Sequence, residues 1–126
     1  MFAVTKRQSP EFQMQAALVN WCELMAAAYP ALRLLRGSMN GVRLTPAQAG
    51  KAKAAGMLKG EHDITLPVAR GGYHGLSLEL KAGKNKPTPE QLEYGERLKA
   101  EGWYVAYSWD WQEAADIIQK YLEEKL

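Results

Sequence analysis

At 126 residues, with 47% hydrophobic and 24% charged residues, the chain has the length and composition of one folded domain, 1–126, which excludes a disordered or fibrous chain. The formal net charge of +2 is too small for a strongly basic protein, so a polyanion would be held by local patches: Arg33, Arg36 and Arg43, and Lys81, Lys84 and Lys86. A single cysteine, Cys22, excludes an internal disulfide and suits a reducing compartment; with no signal-peptide core in Met1 to Arg7 and no run of transmembrane length, the expected location is the cytoplasm.

In chain order, Ser9-Pro10-Glu11 reads as a helix start, a capping serine followed by a proline in the first turn. Ala17, Leu18, Trp21, Cys22, Leu24 and Met25 then recur at helical spacing until Tyr29-Pro30 ends the helix. Glu11 at the helix start is accounted for by the helix dipole alone, and Gln15 lies one turn on along the same face. Leu32 to Arg36 reads as a short strand, and Gly37 to Gly41 as a loop. Thr45-Pro46-Ala47-Gln48 is a capping box opening a helix to about Ala55, closed by Gly56.

Two alternating runs follow. In His62 to Val68, Ile64, Leu66 and Val68 share the apolar side while Asp63 and Thr65 share the polar one. In Leu76 to Lys81, three leucines face one way and Ser77, Glu79 and Lys81 the other. Ala69 to Tyr73, with Gly71 and Gly72 inside, joins them as a hairpin. A turn centred on Gly71 sets Ile64 opposite Leu78 and Asp63 opposite Glu79. Carboxylates opposed in this way repel unless a cation lies between them. Two cations are possible: Lys81, in an ordinary ion pair on a solvated sheet face, or a divalent metal such as magnesium or manganese, for which two carboxylates and a strand carbonyl make a partial oxygen shell.

The loop Ala82 to Pro87 is basic, and Thr88-Pro89-Glu90-Gln91 repeats the helix start seen at Thr45; this helix reaches Glu101 and ends at Gly102. Capping explains Gln91, although its position one loop beyond Lys81 leaves a second role open. Trp103 to Trp109 reads as a strand, and Asp110 caps a last helix that turns Ala114, Ala115, Ile117, Ile118, Tyr121 and Leu122 to the core. The aromatic residues Trp103, Tyr104, Tyr107, Trp109 and Trp111 are read as packing residues rather than as stacking surfaces for bases. The resulting order of helices and strands is an α/β layer.

Asp63 followed by Glu79-Leu80-Lys81 resembles the two halves of the PD-(D/E)xK nuclease motif. The fuller pattern resembles one branch, the VRR-NUC family of virus-type replication and repair nucleases: Glu11 with Gln15, Asn40-Gly41, Gly56 before Gly60-x-x-Asp63, Gly75-Leu76 before Glu79-Leu80-Lys81, and Thr88-Pro89-Glu90-Gln91 occur in the family's order. The resemblance implies a restriction-endonuclease-like core: a central mixed sheet with a catalytic hairpin flanked by helices. It implies a metal-dependent endonuclease hydrolysing phosphodiester bonds in DNA, with Mg2+ (Mn2+ may substitute) held by Asp63, Glu79 and the Leu80 carbonyl. It also implies that Lys81 orients water or phosphate, that Glu11 and Gln91 complete the catalytic set, and that Asn40 contacts nucleic acid; the basic clusters add Arg43, Lys84 and Lys86 as candidate nucleic-acid contacts. Small members of the family act on branched DNA as homodimers, which suits Holliday junction resolution in a virus or prophage. A non-catalytic nucleic-acid-binding module, or a nuclease for RNA or flaps, is the alternative. The residue before the motif aspartate, often proline in the superfamily, is here His62, read as an exposed residue without a role, with contact to a phosphate as the alternative. Cys22, His62 and His74 lack the spacing of a zinc site.

Overall fold

The computed structural model describes residues 9–38 and 44–126; Asn40-Gly41 and Arg43, like the segment Met1 to Arg7, lie outside the described residues. Helix α1 (Pro10–Met25) starts as expected, with the Ser9 hydroxyl accepting the Phe12 amide at 3.0 Å. Where a strand is expected from Leu32, Pro30–Leu34 instead forms a tight 3-10 turn, leaving only Arg36–Gly37 as strand β1. Pro30 supplies a backbone angle preset for a helical start, and the turn swings Leu32 into the core. Helix α2 (Pro46–Ala54) has the full capping box between Thr45 and Gln48 and buries no residue.

Strands β2 (Ile64–Leu66) and β3 (Leu76–Leu80) form the expected antiparallel hairpin, pairing Ile64 with Leu78, Thr65 with Ser77 and Leu66 with Leu76. Its tip is tight, with Arg70 and Tyr73 bridged, and Gly71 and Gly72 both take positive φ (57° and 87°), the conformation that a two-residue hairpin turn requires. Helix α3 (Pro89–Ala100) carries the second complete capping box, Thr88 with Gln91. Strand β4 (Tyr104–Ser108) then pairs in parallel with β3, and Asp110 caps helix α4 (Trp111–Leu122).

The sheet is mixed, in the order β1-β2-β3-β4. Its apolar face, made by Ile64, Leu66, Leu76, Leu78 and Leu80, packs with Leu18 and Cys22 of α1 and Ala114, Ala115, Ile118 and Tyr121 of α4 as one core; Ile117 and Leu122 pack at its margin. Burial raises the Cys22 thiol to about 11, which keeps it protonated. Full burial of each leucine contributes about 1.5–3 kcal/mol. On the other face α3 crosses β4: a Cβ on Gly95, in the middle of α3, would stand 2.5 Å from the Tyr107 hydroxyl and 3.3 Å from the His62 ring. The protein is therefore an α/β layer, with two helices on the leucine face and one on the polar face.

Candidate active site

Alternation along β3 sends Ser77, Glu79 and Lys81 away from the leucine core, yet the side chains do not reach solvent: relative exposures are 0% for Ser77, 3% for Glu79, 7% for Lys81 and 7% for Asp63. The solvated face allowed for in the sequence is absent, because α3 and the loop before β2 cover it. Asp63 and Glu79 are cross-linked through the main chain: the Asp63 amide donates to Glu79 Oε1 (3.1 Å), and the Leu80 amide donates to Asp63 Oδ2 (2.8 Å). The β2–β3 ladder stops at Ile64 and Leu78, so this exchange takes over where strand pairing ends. Amide and carbonyl of one strand residue point to the same side. Since the Leu80 amide meets Asp63, the Leu80 carbonyl shares that edge.

Burial raises both carboxyls, Glu79 to about 8, with the neighbouring Asp63 charge as the second cause; Asp63 is raised mainly by burial, with Glu11 adding to it. The two carboxyls stand close enough to influence each other's titration, so their protons belong to the pair rather than to either acid alone. Lys81 offsets part of the charge. Its ammonium lies 3.7 Å from Glu79 Oε2 and donates to Gln91 Oε1 at 3.1 Å, and Asp63 feels its charge through space. Gln91 Oε1 also accepts the Thr88 amide of its own capping box at 2.9 Å, so a single oxygen both starts α3 and holds Lys81. Glu11 likewise has more to do than stabilise a helix. Its Oε2 accepts the Ala82 amide (3.2 Å) and the Asn85 side-chain amide (3.0 Å), clamping the basic loop that follows Lys81. Lys84 and Lys86 stand exposed on that loop.

His62 is the clearest correction. It is fully buried, its Nε2 3.0 Å from the Gln91 carbonyl and its Nδ1 2.8 Å from the Ser77 hydroxyl, with the rings of Tyr94 and Tyr107 edge-on to it. A carbonyl only accepts, so Nε2 carries the proton and Nδ1 accepts from Ser77. Burial lowers its pKa and keeps the ring neutral. His62 thus ties the residue beside Asp63 to the residue that holds Lys81. The available signal was Gly95, a glycine inside a helix, where it costs about 1 kcal/mol against alanine and so marks a close approach. Gly60 marks another: with φ at +91°, any Cβ there would lie 2.6 Å from the Glu90 carbonyl oxygen.

Two carboxylates and a strand-end carbonyl are hard oxygen donors, and one or two protein carboxylates with retained waters is how magnesium is usually held. The donor set present therefore fits that ion. Among the described residues no group of three or more His, Cys, Asp or Glu gathers to hold a metal ion, so an ion here would rest on the two carboxylates, the carbonyl and water. A cleft of about 490 Å³ lined by Ala69 to His74 and Glu124 lies at the hairpin tip and contains none of these residues. No helix among the described residues is long and apolar enough to cross a membrane.

No family model and no curated protein matches the sequence. Among solved structures, the chain is similar to one described as a VRR_NUC domain protein, with 27% identity over 93% of this chain and 91% of that one and a TM-score of 0.72. The mixed sheet, the near-complete overlap and the order of Gly60-x-x-Asp63, Glu79-Leu80-Lys81 and Thr88-Pro89-Glu90-Gln91 agree, so the chain shares the fold of this VRR_NUC domain protein and is similar to it over nearly its whole length.

Proposed function

We propose that the chain is a magnesium- or manganese-dependent endonuclease that hydrolyses phosphodiester bonds in DNA, with branched DNA as its substrate. The observation that carries this reading is the buried pair Asp63 and Glu79 with Lys81 beside it, two acids and one fixed cation at the end of a strand. Asp63, Glu79 and the Leu80 carbonyl would hold the metal, which when bound supplies an acidified water and positive charge for the phosphate oxygens. Lys81, fixed by Gln91, contributes a point charge where the phosphate gains charge, and it does so without having to reorganise first. Glu11 holds the loop that carries Lys84 and Lys86, and these two lysines supply phosphate contacts. His62 keeps α3, and with it Gln91, seated against the strand that bears Asp63.

Symmetric cleavage of a junction needs two sites related by a two-fold axis, so the active species is a homodimer. The single cysteine, Cys22, is free and buried, which suits a reducing compartment such as the cytoplasm. The reading is tested by incubating the purified chain with a four-way junction, a flap and a linear duplex, in magnesium, manganese or chelator. It expects metal-dependent cleavage favouring the junction. Salt-sensitive binding to all three without any cleavage would identify a non-catalytic binding module instead.

A further inference from the structure

Trp109 immediately follows the strand next to Lys81, and it is 44% exposed, whereas Trp21, Trp103 and Trp111 are half-buried. The parallel register pairs Glu79 with Tyr107 and Leu80 with Ser108, and the Lys81 amide donates to the Ser108 carbonyl at 2.8 Å. One step further along this register Trp109 comes level with Lys81, on the side of the sheet that carries Glu79. Its indole N–H donates to the Asn85 carbonyl at 2.8 Å, and the Asn85 side chain is held in turn by Glu11. The one polar atom of the indole is thus satisfied within the protein, while much of the ring stays open to solvent beside the loop bearing Lys84 and Lys86.

An aromatic plane held in place next to backbone-binding cations is the arrangement on which proteins stack unpaired bases. Bases inside a continuous duplex already have both faces covered by their neighbours, so only a base freed from the stack can use such a plane. We infer that Trp109 stacks on an unpaired base next to the scissile phosphate, and that this contact selects DNA interrupted by a bulge or branch over continuous duplex. The inference rests on the nuclease reading and names what that site prefers.

The test is binding of the full chain, in chelator, to two fluorescein-labelled DNAs of the same sequence, a continuous duplex and the duplex with a bulged nucleotide, followed by anisotropy. The parent binds the bulged DNA more tightly, and Trp109→Ala lowers the bulge-to-duplex ratio of affinities by about tenfold. Trp109→Phe keeps a stacking ring but loses the N–H bond to Asn85, and it retains most of the ratio. If the tryptophan only tethered the loop, Phe and Ala would fall together, and that result overturns the inference, as does an unchanged ratio in Trp109→Ala. The failures separate cleanly: a parent that cleaves DNA with magnesium but shows no dependence on Trp109 rejects stacking alone. A parent that neither binds nor cleaves any DNA rejects the nuclease reading and the inference with it.

Discussion

Lys81 sits among three groups that treat its charge differently. Glu79 and Asp63 are raised toward their neutral forms, and Gln91 accepts a hydrogen bond whatever the protonation of its neighbours. A charge used chiefly to meet the growing charge of a phosphate acts in the transition state. Lys81→Met should therefore lower kcat about 100-fold or more while KM changes only a few-fold, as read from initial rates on a labelled junction. A rise in KM with kcat intact would reduce Lys81 to a substrate anchor. Glu11 makes a contrasting case, because its contacts are to the Ala82 amide and Asn85 rather than to the acid pair. Glu11→Gln keeps only a neutral acceptor for those donors, so the hold on the basic loop weakens and cleavage should fall without unfolding. Full cleavage by Glu11→Gln with a shifted melting temperature would return Glu11 to a helix-stabilising role.

Among the elements, α3 connects the two halves of the site, since its first turn holds Lys81 through Gln91 and its Gly95 lets Tyr107 and His62 approach. Gly95→Ala raises helix propensity but drives a methyl group into the Tyr107 hydroxyl. We expect a net destabilisation of about 1–3 kcal/mol in chemical denaturation, where an exposed helical glycine would show stabilisation. The hairpin was legible in the sequence down to its register, because alternation allows one pairing parity and Gly71-Gly72 fixes the turn. Both Thr-Pro-x-Gln helix starts were legible too, since capping is local chemistry. What was not legible depended on contacts between distant segments. Leu32 is drawn into a 3-10 turn by Pro30 and the core, and His62 is buried by a helix that begins 27 residues later, at Pro89. Trp109 is exposed although Ser108 just before it is buried, because the strand ends at Ser108. No periodicity reports such placements.

For the whole molecule, the acid pair makes folding depend on pH with a definite sign. Glu79 in the fold holds its proton up to about 8 against about 4.5 when unfolded, and Asp63 is shifted the same way. The folded state binds more protons across that window, so stability falls as pH rises from about 4.5 to 8. His62, lowered by burial, opposes this below about 6.5, where the unfolded chain takes up a proton that the fold does not. Between about 6.5 and 8 the carboxyls act alone. In chelator the melting temperature should therefore drop over that interval, and Glu79→Gln should flatten the drop; a parent profile that rises there would contradict the assignment.

Under the proposed function a divalent ion would take the place of the protons held by the acid pair, which would link metal binding to folding. Magnesium at about ten times its dissociation constant should raise the melting temperature at pH 8 by about 5 °C. The most direct measurement is thermal unfolding of the parent and of Asp63→Asn at pH 8, each with magnesium and with chelator. Asparagine can still accept the Leu80 amide but carries no charge to repel Glu79, so metal-free Asp63→Asn should melt at or above the parent, and magnesium should move it far less. A parent melting curve that does not respond to magnesium, together with a metal-free Asp63→Asn that melts below the parent, would contradict the metal site.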